Sequence, residues 1–208
     1  MPDPLRRPGA PARSLRRSYW RRAPFAALDF ETTGLDYRRD SVVSFGVVPV
    51  RAGRVVVGES VHQLVTPAVP STTASMKIHQ ILPRDLEGAL SSDVAGAVLC
   101  DALERRFLLT WYADVELAFL QRTFGGRTRT WSNRTVDVRK LALELEHADP
   151  DSRYGLSATA ERYGVPVANP HEALDDALVT AQLFVILASK LQERGFGSVR
   201  SYLRLTRP

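Results

Sequence analysis

The sequence has little of several residue types that define protein classes. Cys100 is the only cysteine among 208 residues, so no disulfide can form within the chain, and its apolar neighbours predict a buried thiol. This composition is typical of a reducing compartment, and we predict a cytoplasmic location. The most apolar stretch, residues 177–188, contains Thr180 and Gln182 and is shorter than the ~20 residues of a membrane-spanning helix. We therefore predict no membrane insertion.

Lysine is also scarce, since only three of the 28 basic residues are lysine and the other 25 are arginine. Residues 1–24 hold seven of these arginines and one acidic residue, which leaves 21 basic and 22 acidic residues in the rest of the chain. The net charge of +5 therefore originates in the N-terminal segment. Two interpretations stay open: a basic extension that contacts nucleic-acid phosphates, or a disordered or packed extension without that role.

The hydrophobic pattern alternates between strands and helices. It predicts strands at residues 25–31, 41–50, 54–65, 107–112 and 127–131, the second and third forming a hairpin. It predicts helices at residues 76–81, 94–105, 114–124, 138–147, 156–163 and 171–194, with Asp137 capping the fourth. This order predicts an α/β fold, a mixed five-stranded sheet flanked by helices on both faces. We divide the chain into a basic extension (1–24), one folded domain (25–194) and a C-terminal tail (195–208).

Two acidic residues stand at the end of the first predicted strand. Asp29 and Glu31 are two residues apart, so a strand projects both from one face, while Leu28 and Phe30 point to the other. The turn formers that follow, from Thr32 onward, end the strand. Two adjacent carboxylates repel each other unless a cation lies between them, and hard ions such as Mg²⁺ prefer oxygen ligands. The pair therefore indicates a metal site, with an ordinary solvated pair as the alternative.

Two further acidic residues occupy the packed faces of predicted helices. Glu116 precedes Phe119 and Leu120 by three and four residues, and Asp176 begins an apolar stripe that continues to Leu183. An unpaired buried carboxylate is strongly destabilising, so a metal site would account for both placements, whereas pairing with arginines is the alternative.

A histidine precedes the second of these helical acids. His171 follows Pro170 and stands five residues before Asp176, at the predicted entry of the last helix. From there an imidazole can reach the acidic cluster and take a proton from water.

Two motifs together resemble the DEDDh family of 3′-5′ exonucleases, which includes RNase T and the proofreading subunit of bacterial replicative polymerases. One motif is Asp29-Phe30-Glu31-Thr32-Thr33-Gly34, and the other is His171 followed by Asp176 in His-Glu-Ala-Leu-Asp-Asp-Ala. Their order and separation match the family, and the resemblance covers residues 25–190.

The resemblance implies an RNase H-like fold and hydrolysis of phosphodiester bonds from the 3′ end of a single nucleic-acid strand, with DNA favoured. It implies two divalent ions, Mg²⁺ or Mn²⁺, and a DNA polymerase as a partner. The implied metal ligands are Asp29, Glu31, Glu116 and Asp176, the implied base is His171, and the implied substrate contacts are Thr32, Thr33, Gly34, Leu35 and His79. For Leu35 a structural place in the turn is the alternative, and for His79 an ordinary place on the surface.

The family's middle motif is altered in this chain. Trp111-Tyr112 stands where the family usually has His-Asn, and Glu116 stands where it has aspartate. Because a longer side chain displaces the carboxylate and Mg²⁺ tolerates distorted sites poorly, we expect activity with Mn²⁺ favoured. The alternatives are a catalytically impaired module that binds nucleic acid or a polymerase, and a hydrolase of small nucleotides or very short RNA.

Overall fold

A computed structural model of the chain describes residues 9–124, 131–149 and 154–206. Within these ranges one mixed sheet contains β1 (Phe25–Thr32), β2 (Val42–Arg51), β3 (Arg54–Val55), β4 (Val61–Leu64), β5 (Phe107–Thr110) and β6 (Thr135–Asp137). β2 pairs antiparallel with β1 and also with β3 and β4, whereas β1, β5 and β6 run parallel. The strand order β3-β2-β1-β5-β6, with β4 beside β2, places β1 at the centre.

Seven α-helices lie wholly within the described residues. They are α1 (Thr73–His79), α2 (Ser92–Ala102), α3 (Ala113–Phe124), α4 (Val138–Glu146), α5 (Leu156–Arg162), α6 (Ala173–Glu193) and α7 (Val199–Leu205). One part of the core lies between the sheet and the helices α4 to α7, and the other lies between the sheet and α2 and α3. The predicted mixed sheet with helices on both faces is thus confirmed.

The alternation along β1 decides which side chains meet which helices. Phe25 and Ala27 belong to the core part that includes α6, whereas Leu28 and Phe30 belong to the part that includes α2 and α3. Asp29 continues the register of the first pair, because alternate side chains of a strand share a face. The two acids of β1 therefore share one face, as the sequence predicts, and that face is the one on which α6 packs.

The described part of the N-terminal segment packs on the same core. Trp20 is buried and meets Phe184 edge-on, with 5.6 Å between ring centroids. The N–H of Gly9 donates to Glu104 Oε2 at 2.6 Å, and its carbonyl accepts from Arg134 Nη1 at 2.8 Å. α7 is likewise packed, since its Val199, Tyr202 and Leu203 are buried. Residues 9–24 and α7 thus share the core of residues 25–194, while our division into domains stays a prediction.

Three details differ from the sequence prediction. A 3₁₀ turn at Val57–Glu59 splits the second hairpin strand into β3 and β4. We did not predict β6 (Thr135–Asp137), although its β-branched pair Thr135-Val136 suits a strand. Of the strand predicted at residues 127–131, only Trp131 lies within the described ranges, and it is helical. Residues 125–130 lie outside the described ranges. Cys100 is half-buried rather than buried.

No helix in the described parts of the chain is both long and apolar enough to cross a membrane.

Candidate active site

Three carboxylates meet near the end of β1. One oxygen from each of Asp29, Glu31 and Asp176 lies within 4.8 Å of the other two. β1 supplies the first two from one face, and Asp176 comes from the first turn of α6, which packs against β1 and β2. Glu31 and Asp176 are buried, and Asp29 is partly exposed. Carboxylate oxygens at this spacing suit a hard divalent cation.

Glu116 brings a fourth carboxylate to these three from α3. It lies outside the group joined within 4.8 Å, but its charge acts on that group. Burial raises the pKa of Asp29 most, and the charge of Glu116 raises it further, ahead of the charges of Asp176 and Glu31. The helical acids predicted to point inward are thus both buried beside the strand pair.

The four carboxylates have no arginine or lysine partner within the described residues. The ion pairs of that part of the chain join other side chains, so the alternative of arginine pairing is not observed. Glu116 Oε2 and Asp176 Oδ1 are buried without a hydrogen-bond partner there. Burial and the charge of Asp176 raise the pKa of Glu31 to about 8. A divalent cation would compensate the desolvation and the repulsion, so this donor set fits a metal site.

His171 lies in the loop that leads into α6. Its backbone adopts the left-handed region with φ of +65°, and its N–H donates to Asp176 Oδ2 at 3.2 Å. The imidazole is exposed and faces the same pocket as the carboxylates. The neighbouring Asp175 turns to the other side, where Asn169 donates to its Oδ2 from the backbone at 3.0 Å and from Nδ2 at 2.8 Å. The structure therefore brings His171, but not Asp175, to the acidic cluster.

Asp40 anchors the loop that follows β1. Its Oδ1 accepts from Thr33 Oγ1 at 3.1 Å, and its Oδ2 accepts from the N–H of Asp36 at 2.8 Å. A Cβ on Gly34 would collide with this carboxylate, so only glycine permits the contact. The anchored loop holds Leu35 89% exposed at the mouth of the pocket.

Thr33 has a different place from the one we predicted. We expected its backbone to meet a substrate, but its N–H donates to the Ser41 carbonyl and its own carbonyl accepts from the N–H of Thr72, both at 2.9 Å. Thr33 is fully buried and does not line the pocket, whereas Thr32 and Gly34 do. The prediction for Thr33 is corrected accordingly, because its hydrogen bonds hold the loop in place.

His79 lies at the end of α1 and is buried, so the alternative of surface placement is wrong. Its Nδ1 accepts from the N–H of Ile81 at 3.0 Å, and burial lowers the pKa of the imidazole. The side chain also lines the pocket over the carboxylates, and its contact with a substrate stays a prediction.

A pocket of about 720 Å³ opens above the four carboxylates. Of the eight large hydrophobic side chains exposed in the described residues, four line this pocket. They are Leu35, Ile78, Tyr112 and Val115. Apolar side chains that gather at one cleft usually mark a ligand surface. An acidic floor that can hold cations under an apolar rim suits a ligand with phosphates and flat aromatic groups.

A family model described as "Exonuclease" (RNase_T) matches residues 26–184, a range that includes all four carboxylates and His171. The chain belongs to this exonuclease family. The resemblance to the DEDDh exonucleases is confirmed, and the RNase_T exonuclease family accounts for both sequence motifs.

Two relatives of this RNase_T exonuclease chain are much longer proteins. A PolC-type DNA polymerase III of Thermotoga petrophila is 29% identical over 182 residues, which cover 86% of this chain and 13% of that protein. A 3′-5′ exonuclease DinG of Staphylococcus aureus is 22% identical over 189 residues, which cover 89% of this chain and 20% of that protein. The chain thus spans a fifth or less of the length of these relatives.

Among solved structures, Escherichia coli Exonuclease I in complex with a dT13 oligonucleotide superposes with a TM-score of 0.72 at 15% identity. The match covers 83% of this chain and 42% of that one. It confirms the RNase H-like fold that the motifs imply for the RNase_T exonuclease chain.

Gly46 positions the exonuclease site and escaped our sequence analysis. It pairs with Asp29 across β1 and β2, and a Cβ there would collide with the carbonyl of Ala173 at the start of α6. The absence of a side chain thus lets α6 approach the sheet and bring Asp176 to the strand acids. A glycine inside a valine-rich strand is the signal that could have revealed this close approach.

The altered middle motif is held by its own contacts. Trp111 Nε1 and Tyr112 OH both donate to the Tyr154 carbonyl, at 3.1 Å and 3.3 Å. Asp137 caps α4 through the N–H of Lys140, and its other oxygen accepts from the N–H of Ala113 at the start of α3. Asp137 is therefore a cap, as predicted, and it also fixes the helix that carries Glu116.

Proposed function

We propose that this chain hydrolyses the terminal phosphodiester bond at the 3′ end of a nucleic-acid strand, using two divalent cations. One observation carries the proposal: four carboxylates gather under one pocket without an arginine or lysine partner among the described residues. The membership in an exonuclease family and the name of the DinG relative support the reaction type and its direction.

Each site residue has a proposed role. Asp29, Glu31, Glu116 and Asp176 would hold the cations, Mg²⁺ or Mn²⁺. When bound, such cations lower the pKa of water and stabilise the oxygen that leaves. His171 would accept the proton of the attacking water, since its imidazole is exposed to the pocket and its backbone is fixed to Asp176.

The rim of the pocket would bind the terminal nucleotides. Leu35 and Ile78 offer exposed apolar faces on one side, and Tyr112 and Val115 offer them on another. Bases of a single strand can stack on such side chains, whereas a paired base has its faces covered. Thr32, Gly34 and His79 line the same pocket and would contact the sugar and phosphate. Single-stranded DNA is the substrate we favour, and the oligonucleotide complex of the structural neighbour supports it.

A polymerase is the proposed partner. The Thermotoga petrophila relative is a DNA polymerase III that holds the matching segment within a chain about eight times longer, since the match covers 13% of it. An exonuclease chain that binds a separate polymerase chain would bring the same two parts together. Co-purification of a DNA polymerase subunit with the tagged protein would support this partner, and its repeated absence would remove it.

Digestion of 5′-labelled strands tests the activity. DNA and RNA of equal sequence are incubated with Mg²⁺ or Mn²⁺ and the wild-type chain, with His171→Ala and Asp176→Ala as inactive variants. Asp175→Asn is the matched control, because it removes a neighbouring charge that faces Asn169 instead of the pocket.

Two outcomes of this digestion matter. We expect a ladder that shortens from the 3′ end, that Asp175→Asn preserves and that the two inactive variants lack. Absence of cleavage with either metal would reject the hydrolase and leave a module that binds nucleic acid or a polymerase.

A further inference from the structure

Five arginines converge on one pocket outside the active site. Arg13, Arg16 and Arg17 come from the 3₁₀ helix Arg13–Arg17, and Arg200 and Arg204 come from α7. Together with Leu203 they line a pocket of about 360 Å³. We call these five residues the arginine patch.

Packing, not chance proximity in a tail, holds the two elements of the arginine patch together. The N–H of Trp20 donates to the Gly197 carbonyl at 3.0 Å, and the N–H of Val199 donates to the Ser18 carbonyl at 3.2 Å. The Arg16 side chain itself donates to the Asn133 carbonyl at 2.5 Å. The arginine patch is therefore a built surface of the folded chain.

The charge of the arginine patch is not compensated by carboxylates in the described ranges. The ion pairs of those ranges involve other arginines, such as Arg51 with Glu59 and Arg162 with Glu146. Five like charges around one pocket repel each other, so the arrangement favours a bound anion. A planar guanidinium with several N–H groups matches the oxygens of a phosphate.

The arginine patch and the active site lie at opposite edges of the sheet. The site gathers at the carboxyl ends of β1 and β5 and the start of α6, whereas the patch lies next to the segment that enters β1 and after the end of α6. Asp176 and Glu193 are 17 residues apart along α6, so the two regions are on the order of 25 Å apart at 1.5 Å per residue. A single strand must be several nucleotides long to cross that distance.

We propose that the arginine patch binds the phosphate backbone of the strand whose 3′ end occupies the active site, several nucleotides upstream of that end. This inference rests on the proposed function. An acidic protein segment fits less well, because Leu203 is the one apolar side chain in the pocket and protein interfaces need a larger apolar centre.

Binding without cleavage tests the arginine patch directly. A labelled 30-nucleotide DNA strand is titrated with the full chain in EDTA, and fluorescence anisotropy gives Kd over a range of salt concentrations. We expect Arg200→Gln/Arg204→Gln to raise Kd about tenfold and to reduce the salt slope by about 1.4, which corresponds to two lost contacts with a single strand. Both side chains are exposed, so the variant should fold like the wild type.

Two matched variants make this binding experiment decisive. Arg54→Gln/Arg84→Gln removes the same charge from exposed positions outside the arginine patch and should leave Kd within twofold. Arg13→Gln/Arg17→Gln removes charge from the other element of the patch and should repeat the tenfold loss. Equal losses in the control pair and in the patch pairs would overturn the proposal, because net charge alone would then explain binding.

Substrate length separates this inference from the proposed function. For Arg200→Gln/Arg204→Gln we expect KM to rise about tenfold on the 30-nucleotide strand and to stay unchanged on a dinucleotide, which is too short to reach the patch. An equal change of KM on both substrates would overturn the proposal that the arginine patch binds the upstream strand. If polyglutamate displaces labelled DNA from the wild type as readily as unlabelled DNA of equal charge does, the patch would instead be assigned to an acidic protein. A chain without nuclease activity that still showed the Kd difference would reject only the proposed function.

Discussion

At the edge of the sheet where β1 and β5 end, Glu116 Oε2 and Asp176 Oδ1 are buried without hydrogen-bond partners in the described residues. At the opposite edge, the polar atoms of the aromatic residues are paired: Trp20 Nε1 donates to Gln192 Oε1 at 3.1 Å, and Tyr202 OH donates to the Ala188 carbonyl at 2.9 Å. Buried carboxylates of like charge destabilise the first edge, and buried aromatic packing stabilises the second. Chemistry and stability are thus separated along the strands, and substitutions at each edge should affect one property without the other.

We call the edge where β1 and β5 end the acidic edge, and its strongest test is Asp29→Asn. The loss of a ligand at the centre of four carboxylates should lower the rate about 10³-fold, since a metal contributes several kcal/mol to the transition state. The same change should stabilise the metal-free protein, because the charges of Glu116, Asp176 and Glu31 all act against a charged Asp29. A gain of about 1 kcal/mol would raise Tm by roughly 2–4 °C for a chain of this size. Cleavage assays and thermal unfolding in EDTA measure the two effects.

Asp175→Asn is the control for this variant, since it also replaces an aspartate by asparagine one residue from the site. Its rate should stay within a few-fold of the wild type. A metal-free Asp29→Asn protein that unfolds below the wild-type Tm would contradict the view that the acidic edge is destabilised by its own charges.

The opposite edge should respond to Trp20→Ala in the reverse way. Trp20 is fully buried against Phe184, and large-to-small substitutions of buried aromatic residues cost about 3–5 kcal/mol. Urea unfolding should show this loss, while the rate per folded molecule on a short substrate stays within twofold. Val57→Ala, at an exposed position, should change stability by less than about 0.5 kcal/mol. A Trp20→Ala chain that lost activity while folded would show that the two edges are coupled.

The features of the acidic edge that the sequence predicts are those that depend on local patterns along the chain. The alternation from Phe25 to Glu31 sets the face of the two acids, and Asp137 is recognisable as a cap, because both depend on neighbours along the chain. The inward direction of Glu116 and Asp176 follows from helical spacing in the same way. The orientation of each acid therefore could be predicted from local patterns, and the family resemblance implied that the four acids are metal ligands of one site.

Other features depend on contacts between distant residues, which a single sequence does not display. The burial of Thr33 is fixed by Ser41 and Thr72, and the arginine patch joins residues near position 15 to residues near position 202. In the sequence, Trp20 belongs to the predicted basic extension. In the structure it contacts Phe184 and Gln192, which lie more than 160 positions away. Short β6 was not predicted for a related reason, since its three residues form a strand by pairing with β5.

Gly46→Ala would sharpen the comparison by shifting α6, the helix that brings Asp176 to the acidic edge. The added methyl group must displace the backbone of Ala173, so α6 should shift and carry Asp176 with it. We expect a loss of about 1–3 kcal/mol in stability from overpacking and about 10²-fold in rate from misplacement of a ligand by about 1 Å. Gly58→Ala is the matched control, because a Cβ there meets nothing within 4 Å. A rate unchanged in Gly46→Ala would show that α6 can adapt without disturbing the site.

The smallest expected effect concerns Glu116, where the acidic edge departs from the family's aspartate. Hydrogen bonds from Ala113 to Asp137 and from Tyr112 to Tyr154 fix the start of α3, so the helix cannot retreat to offset the extra methylene of glutamate. Glu116→Asp should therefore raise the ratio of the Mg²⁺ rate to the Mn²⁺ rate about tenfold, since Mg²⁺ demands the more regular geometry. Glu144→Asp makes the same change on the exposed face of α4 and should leave the ratio at its wild-type value. An unchanged ratio in Glu116→Asp would mean that the cleft is shaped around glutamate, and that the departure does not set metal preference.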